Sequence, residues 1–211
     1  MAATTQGFAQ SPMLGTTPSQ RTWARIAGLM YWIVLLVDMT GMQLHASTVS
    51  RSLMLVGAVL TVPLGLGLYY AVRPIHNRLA ATALTFRLLE AALGLLSTLT
   101  AFTAVKTELA HSSFGQAALD LAHWTDATLF GAFVFTIGST IFFYLFVRSG
   151  YIPRILAWWG LFASVVAFAA CAMHLAQPQF PAMTWYAWIP MLLAETSTGL
   201  WLVLKSVRAA R

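Results

Sequence analysis

Arg87 and Glu90 stand three residues apart in an apolar run from about Leu79 to Val105, and Glu195 stands inside a second apolar run. Residues three apart lie on one face of a helix, close enough for an acid and a base to pair. A guanidinium offers five donors in a planar fork, so Arg87 could satisfy both carboxylates at once. It neutralises only one of them. The surplus negative charge must be offset by a proton or by a bound cationic group. A carboxyl that keeps its proton is a candidate general acid, which makes Glu90 and Glu195 the candidate catalytic pair, with Arg87 positioning an anionic or head group. The same three residues could instead form a salt-bridge network that only locks helices together.

A second set of polar side chains comprises Asp38, His123, Asp126 and His174, with His45 and Asp120 nearby in surface positions. These four are candidates to line a ligand site. His123 and Asp126 have an acceptable spacing for a metal, and His174 and Asp38 could complete four ligands. No His-Glu-x-x-His signature supports that reading, and residues at helix ends can simply face water. Nor does a motif imply a cofactor. The histidines fall at helix ends or in loops, where an axial haem pair is not expected, and no lysine lies inside a span to carry a retinal Schiff base. A glycine-rich phosphate loop is missing too.

The elements that must position these groups follow from composition. The chain has 211 residues, 59% hydrophobic and 9% charged. Soluble domains carry about 25% charged residues, so this is the composition of an integral membrane protein whose first partner is the lipid bilayer. The net charge of +6 arises from residues scattered at helix ends, not from a basic run, and no nucleic-acid partner is expected. The single cysteine, Cys171, excludes a disulfide framework and a cysteine metal site.

A span needs roughly 20 apolar residues. Six are expected, near 24–44, 52–72, 79–105, 122–147, 155–176 and 184–204. The fold class is therefore all-α, a single domain over residues 23–211 made of a six-helix transmembrane bundle. Residues 1–22, rich in Thr, Ser, Gln, Gly and Pro, read as a disordered tail. Pro63 and Pro190 should kink or loosen the second and sixth helices. With the N-terminus inside, the inner segments hold nine Lys and Arg residues and the outer segments two, Arg51 and Lys106. That asymmetry predicts both termini in the cytoplasm. At about 1.5 Å per residue, Arg87, Glu90 and Glu195 all fall near mid-membrane, and Asp38 in the outer half of the first helix.

The two inner connections, Val72-Arg73 to Ala80 and Val147-Arg148 to Ala157, are alike. Either a duplicated hairpin or the ordinary preference of short inner turns for Arg and Pro accounts for it. Arg73-Pro74, Asn77-Arg78-Leu79-Ala80 and Phe86-Arg87-Leu88-Leu89-Glu90 form one familiar stretch. Phe146-Val147-Arg148-Ser149-Gly150-Tyr151-Ile152-Pro153-Arg154 forms a second, and Glu195 with Gly199-Leu200-Trp201-Leu202 and Lys205 a third. Together they resemble the bacterial integral-membrane family catalogued as domain of unknown function 4386, over most of the chain after about residue 23. The resemblance implies a small multi-pass protein of the bacterial cytoplasmic membrane, with Arg87, Glu90 and Glu195 in the family pattern. It implies no activity.

Three functions are compatible with these residues. The first is a mid-membrane cavity that binds a small amphipathic or lipid-like molecule in transport, sensing or an accessory role. An intramembrane enzyme of cyclase or isomerase class is the second, acting on an isoprenoid- or acyl-type substrate through a protonated glutamate. The third is a structural or assembly subunit.

Overall fold

The computed structural model describes residues 16–44, 47–102, 107, 109–124, 127–177 and 181–208; for 121–124, 127–128 and 181–185 only the backbone is described. Among these residues the chain is all-helical. Seven helices follow in order: α1 Pro18–Gln43, α2 Thr48–Val72, α3 Asn77–Thr100, α4 Ser113–Trp124, α5 Ala127–Ser149, α6 Arg154–Ala176 and α7 Pro181–Lys205. All but α4 are long and apolar enough to cross a membrane, so this is a multi-pass membrane protein.

Local chemistry sets the ends. The Thr17 hydroxyl accepts from the Gln20 amide, with Pro18 in the first turn, and the Ser47 hydroxyl accepts from the Ser50 amide. His76 caps α3, its Nδ1 accepting the Leu79 amide at 3.2 Å. Gly150 ends α5 with φ +64°, a conformation that favours glycine.

Two boundaries differ from expectation. α1 begins at Pro18, within the segment read as a tail, because Thr17 and Pro18 supply a start signal; residues 1–15 lie outside those described. α3 stops at Thr100, short of 105. Ahead of α5 the chain is already helical over α4, which the Ser112 hydroxyl opens by accepting from the Gly115 amide; residues 125–126 lie outside those described. An apolar run alone cannot reveal a helix start made by one serine. Pro63 and Pro190 both lie inside continuous helices.

The six long helices close a ring. Each packs against its chain neighbours, α3 meets α5 directly, and α7 returns to α1. Glycines make the closure possible: a Cβ at Gly28 on α1 would stand 2.7 Å from the Gly199 carbonyl oxygen and 2.8 Å from the Val203 nitrogen on α7. The outer surface carries exposed Leu29, Val49, Ile155, Phe162 and Leu204, as lipid contact requires.

The two ends of the ring are unlike. One carries Arg21, Arg25, Arg73, Arg78, Arg148, Arg154, Lys205 and Arg208, all exposed. Just beneath it lies most of the tightly buried core, including Leu68, Val72, Phe142, Phe143, Phe146 and Leu202. This basic end is also tied shut. The Gln20 side-chain amide donates to the Ala71 carbonyl at 2.6 Å, the Ser206 hydroxyl to the Arg21 carbonyl at 2.9 Å, and the Arg208 amide to the Tyr151 carbonyl at 3.0 Å. Tyr151, Ile152 and Val207 are buried under these bonds.

Candidate functional site

Arg87 reaches the middle of the ring because its neighbours are small. A Cβ at Gly65 on α2 would stand 3.1 Å from the Arg87 Cβ, and one at Gly138 on α5 would stand 3.7 Å from its Cγ. Two glycines on two helices thus admit the stem of one arginine. The result is a guanidinium at 2% exposure, the largest fully buried side chain among the described residues.

The structure brings Arg87, Glu90 and Glu195 together. Arg87 Nη1 donates to Glu90 Oε2 at 2.8 Å, and Nη2 donates to Glu195 Oε1 at 3.4 Å, linking α3 to α7. The face of Phe135 on α5 lies 4.5 Å beneath the guanidinium carbon, a cation–π contact, and Trp188 on α7 packs on Phe135 with centroids 5.6 Å apart. Tyr31 of α1 lies within electrostatic reach of Arg87 and both glutamates. One nitrogen is left over: Arg87 Nε is buried and makes no hydrogen bond to another described residue.

Exposure decides whether this is a sealed bridge. Glu90 keeps 21% and Glu195 17% of their side-chain surface open, against 2% for Arg87. A buried anchor thus holds two partly covered carboxylates, on top of the packed core of the basic end.

Asp38 is half-buried on α1. It lies within electrostatic reach of Glu90 and Glu195, and packs its carboxyl against Gly57 of α2, whose missing side chain makes the room. The sequence alone assigned it to the histidine group because both fall in the same half of the bundle. Helix rotation, invisible in depth counting, turns its carboxyl toward α2. His174 on α6 is half-buried, its Nδ1 without a partner. Asp126 and His45 lie outside the described residues, as does the side chain of His123. Among the described residues no three acids, histidines or cysteines are grouped as metal ligands.

Sequence reasoning missed Tyr31, Phe135 and Trp188. A signal existed for the first: Tyr31 and Asp38 are seven apart, two turns on one helix face. None marked Phe135 or Trp188, two among many aromatic residues in apolar helices.

The family model described as Domain of unknown function (DUF4386) matches residues 39–206, from the last turn of α1 to the residue after α7. The chain belongs to this family. The match contains Arg87, Glu90 and Glu195 and stops just short of Asp38 and Tyr31. Neither the curated proteins nor the solved structures contain a match.

Proposed function

We propose that this DUF4386 protein holds a small amphipathic or lipid-like molecule at the arginine–glutamate cluster, in a transport, sensing or accessory role. One observation carries the reading. Two mid-membrane carboxylates stay partly open while the arginine that orders them is buried. A network meant only to lock helices gains nothing from keeping its acids reachable, and intramembrane charges usually serve function. The proposed setting is the bacterial cytoplasmic membrane with both termini inside, in keeping with nine basic residues on one side and two on the other. The packed basic end then faces the cytoplasm, and the site is reached from the opposite side or from the bilayer.

Native mass spectrometry of the detergent-purified protein tests the reading. A bound small lipid-like species should be present in the wild type and depleted in Glu195→Gln of unchanged thermal stability. Equal retention by both, or no bound species even after incubation with total membrane lipid, would refute it.

Phe135 and Trp188 favour a second reading. Aromatic faces beside a carboxyl can stabilise a cationic intermediate after that carboxyl delivers its proton to an isoprenoid or acyl substrate. In that case Glu90→Gln or Glu195→Gln abolishes turnover but still binds the chain, and a product appears only with the wild type.

A further inference from the structure

We propose that the basic end holds one anionic phospholipid, its phosphate seated between Arg21 and Arg25 and an acyl chain lying along α1. The site is separate from the arginine–glutamate cluster and independent of what binds there. An open cavity of about 400 Å³ is lined by Thr16, Pro18, Arg21, Thr22 and Arg25. The two arginines are four residues apart on one face of α1, a spacing at which like charges repel. Neither has a carboxylate partner among the described residues. Asp38, the first acidic residue in the chain, stands about 20 Å farther along α1 than Arg25. Two other arginines at this end are occupied by aromatic faces: the guanidinium carbon of Arg73 lies 4.7 Å from the Tyr70 ring centroid, and that of Arg208 4.3 Å from the Trp201 centroid. Arg21 is instead fixed at the cavity. Its Nε donates to Thr16 Oγ1 at 2.9 Å, which leaves its two terminal nitrogens for the oxygens of an anion. A phosphodiester suits that fork, whereas the ammonium of a zwitterionic head would find two cations and no carboxylate.

The rest of the same helix face says where the anion comes from. Helical spacing carries the stripe from Arg21 and Arg25 to Leu29 and Leu36, which are 50% and 59% exposed. Arg25 and Leu36 are about 16 Å apart along the axis. With 26 residues α1 is about 39 Å long, against a hydrocarbon core of about 30 Å, so its first turns rise into the head-group layer while the leucines stand in the core. A phospholipid meets both parts at once, its phosphate at the arginines and its chain on the leucines. A free phosphate would use only the first. Basic clusters at the membrane surface attract anionic head groups over zwitterionic ones.

The experiment is a native mass spectrometry titration of the delipidated full chain in dodecyl maltoside with dioleoyl-phosphatidylglycerol or dioleoyl-phosphatidylethanolamine. The phosphatidylglycerol should bind about tenfold more tightly. Arg21→Gln combined with Arg25→Gln should erase that preference. Arg148→Gln combined with Arg154→Gln removes the same charge from exposed positions at the same end and should keep it. An excess of inorganic phosphate at constant ionic strength should leave the lipid bound. Equal affinity for the two lipids, or the same loss of preference in both arginine pairs, overturns the site. Displacement of the lipid by inorganic phosphate overturns the choice of a phospholipid and assigns the cavity to a free anion. Should the first pair of substitutions prevent folding, Arg25→Gln alone should lower the preference about threefold, and an unchanged preference in that variant is equally fatal.

Discussion

Arg87 shows what a buried charge requires. Its two terminal nitrogens are paired, its face is covered by Phe135, and its stem lies against two glycines. Removing it leaves two carboxylates in apolar surroundings with no counter-charge. Arg87→Leu should therefore lose about 3–5 kcal/mol of stability, the usual cost of breaking a buried ion pair from one side. Unfolding in detergent micelles would show it, and adding Glu90→Gln and Glu195→Gln should restore part of the loss because the sites are coupled. A stable single variant would mean that the guanidinium is not the organising group. The identity of Arg87, Glu90 and Glu195 as a group was legible in their types and depth. Depth said nothing of the direction Asp38 takes around its helix, which the packing of α1 against α2 sets.

At the scale of the helices, close approach depends on particular glycines. The Gly28→Ala methyl would strike the backbone of α7, which cannot give way, so ring closure between α1 and α7 should weaken by about 1–3 kcal/mol. Gly94→Ala is the control. Its Cβ would meet only the Ala58 Cβ at 3.4 Å, ordinary contact, and the gain in helix propensity should stabilise α3 by a few tenths to about 1 kcal/mol. Thermal unfolding of the two variants side by side measures the contrast; a similar loss in both would show that the α1–α7 contact is loose. The spans themselves were readable from apolar length, because a bilayer demands it. Helix ends were less so: a single hydroxyl at Ser112 and another at Thr17 set starts that hydropathy cannot detect.

The whole molecule is a ring that is tied at the basic end and carries its charged cluster in the interior beyond that core. Orientation is a separate matter, set by where Lys and Arg fall. In a Cys171→Ser background, Ser113→Cys should react with a membrane-impermeant maleimide in intact spheroplasts. Lys205→Cys should react only after permeabilisation. Both positions are exposed, so access alone separates them. The opposite pattern would invert the proposed topology and place the reachable face of the cluster toward the cytoplasm.

Membrane nature, six spans and the three mid-membrane charges were set by the sequence alone, since hydropathy and charge act residue by residue along the chain. Tertiary structure decided what those charges face. Whether Glu195 meets Arg87 depends on the rotation and order of helices packed by α3, α5 and α7, which no local pattern encodes. Ring closure through Gly28 and Gly199, the turn of Asp38 toward Gly57, and the placement of Phe135 beneath the guanidinium are all products of that packing. They brought Glu195, 108 residues away in sequence, onto Arg87 beside Glu90.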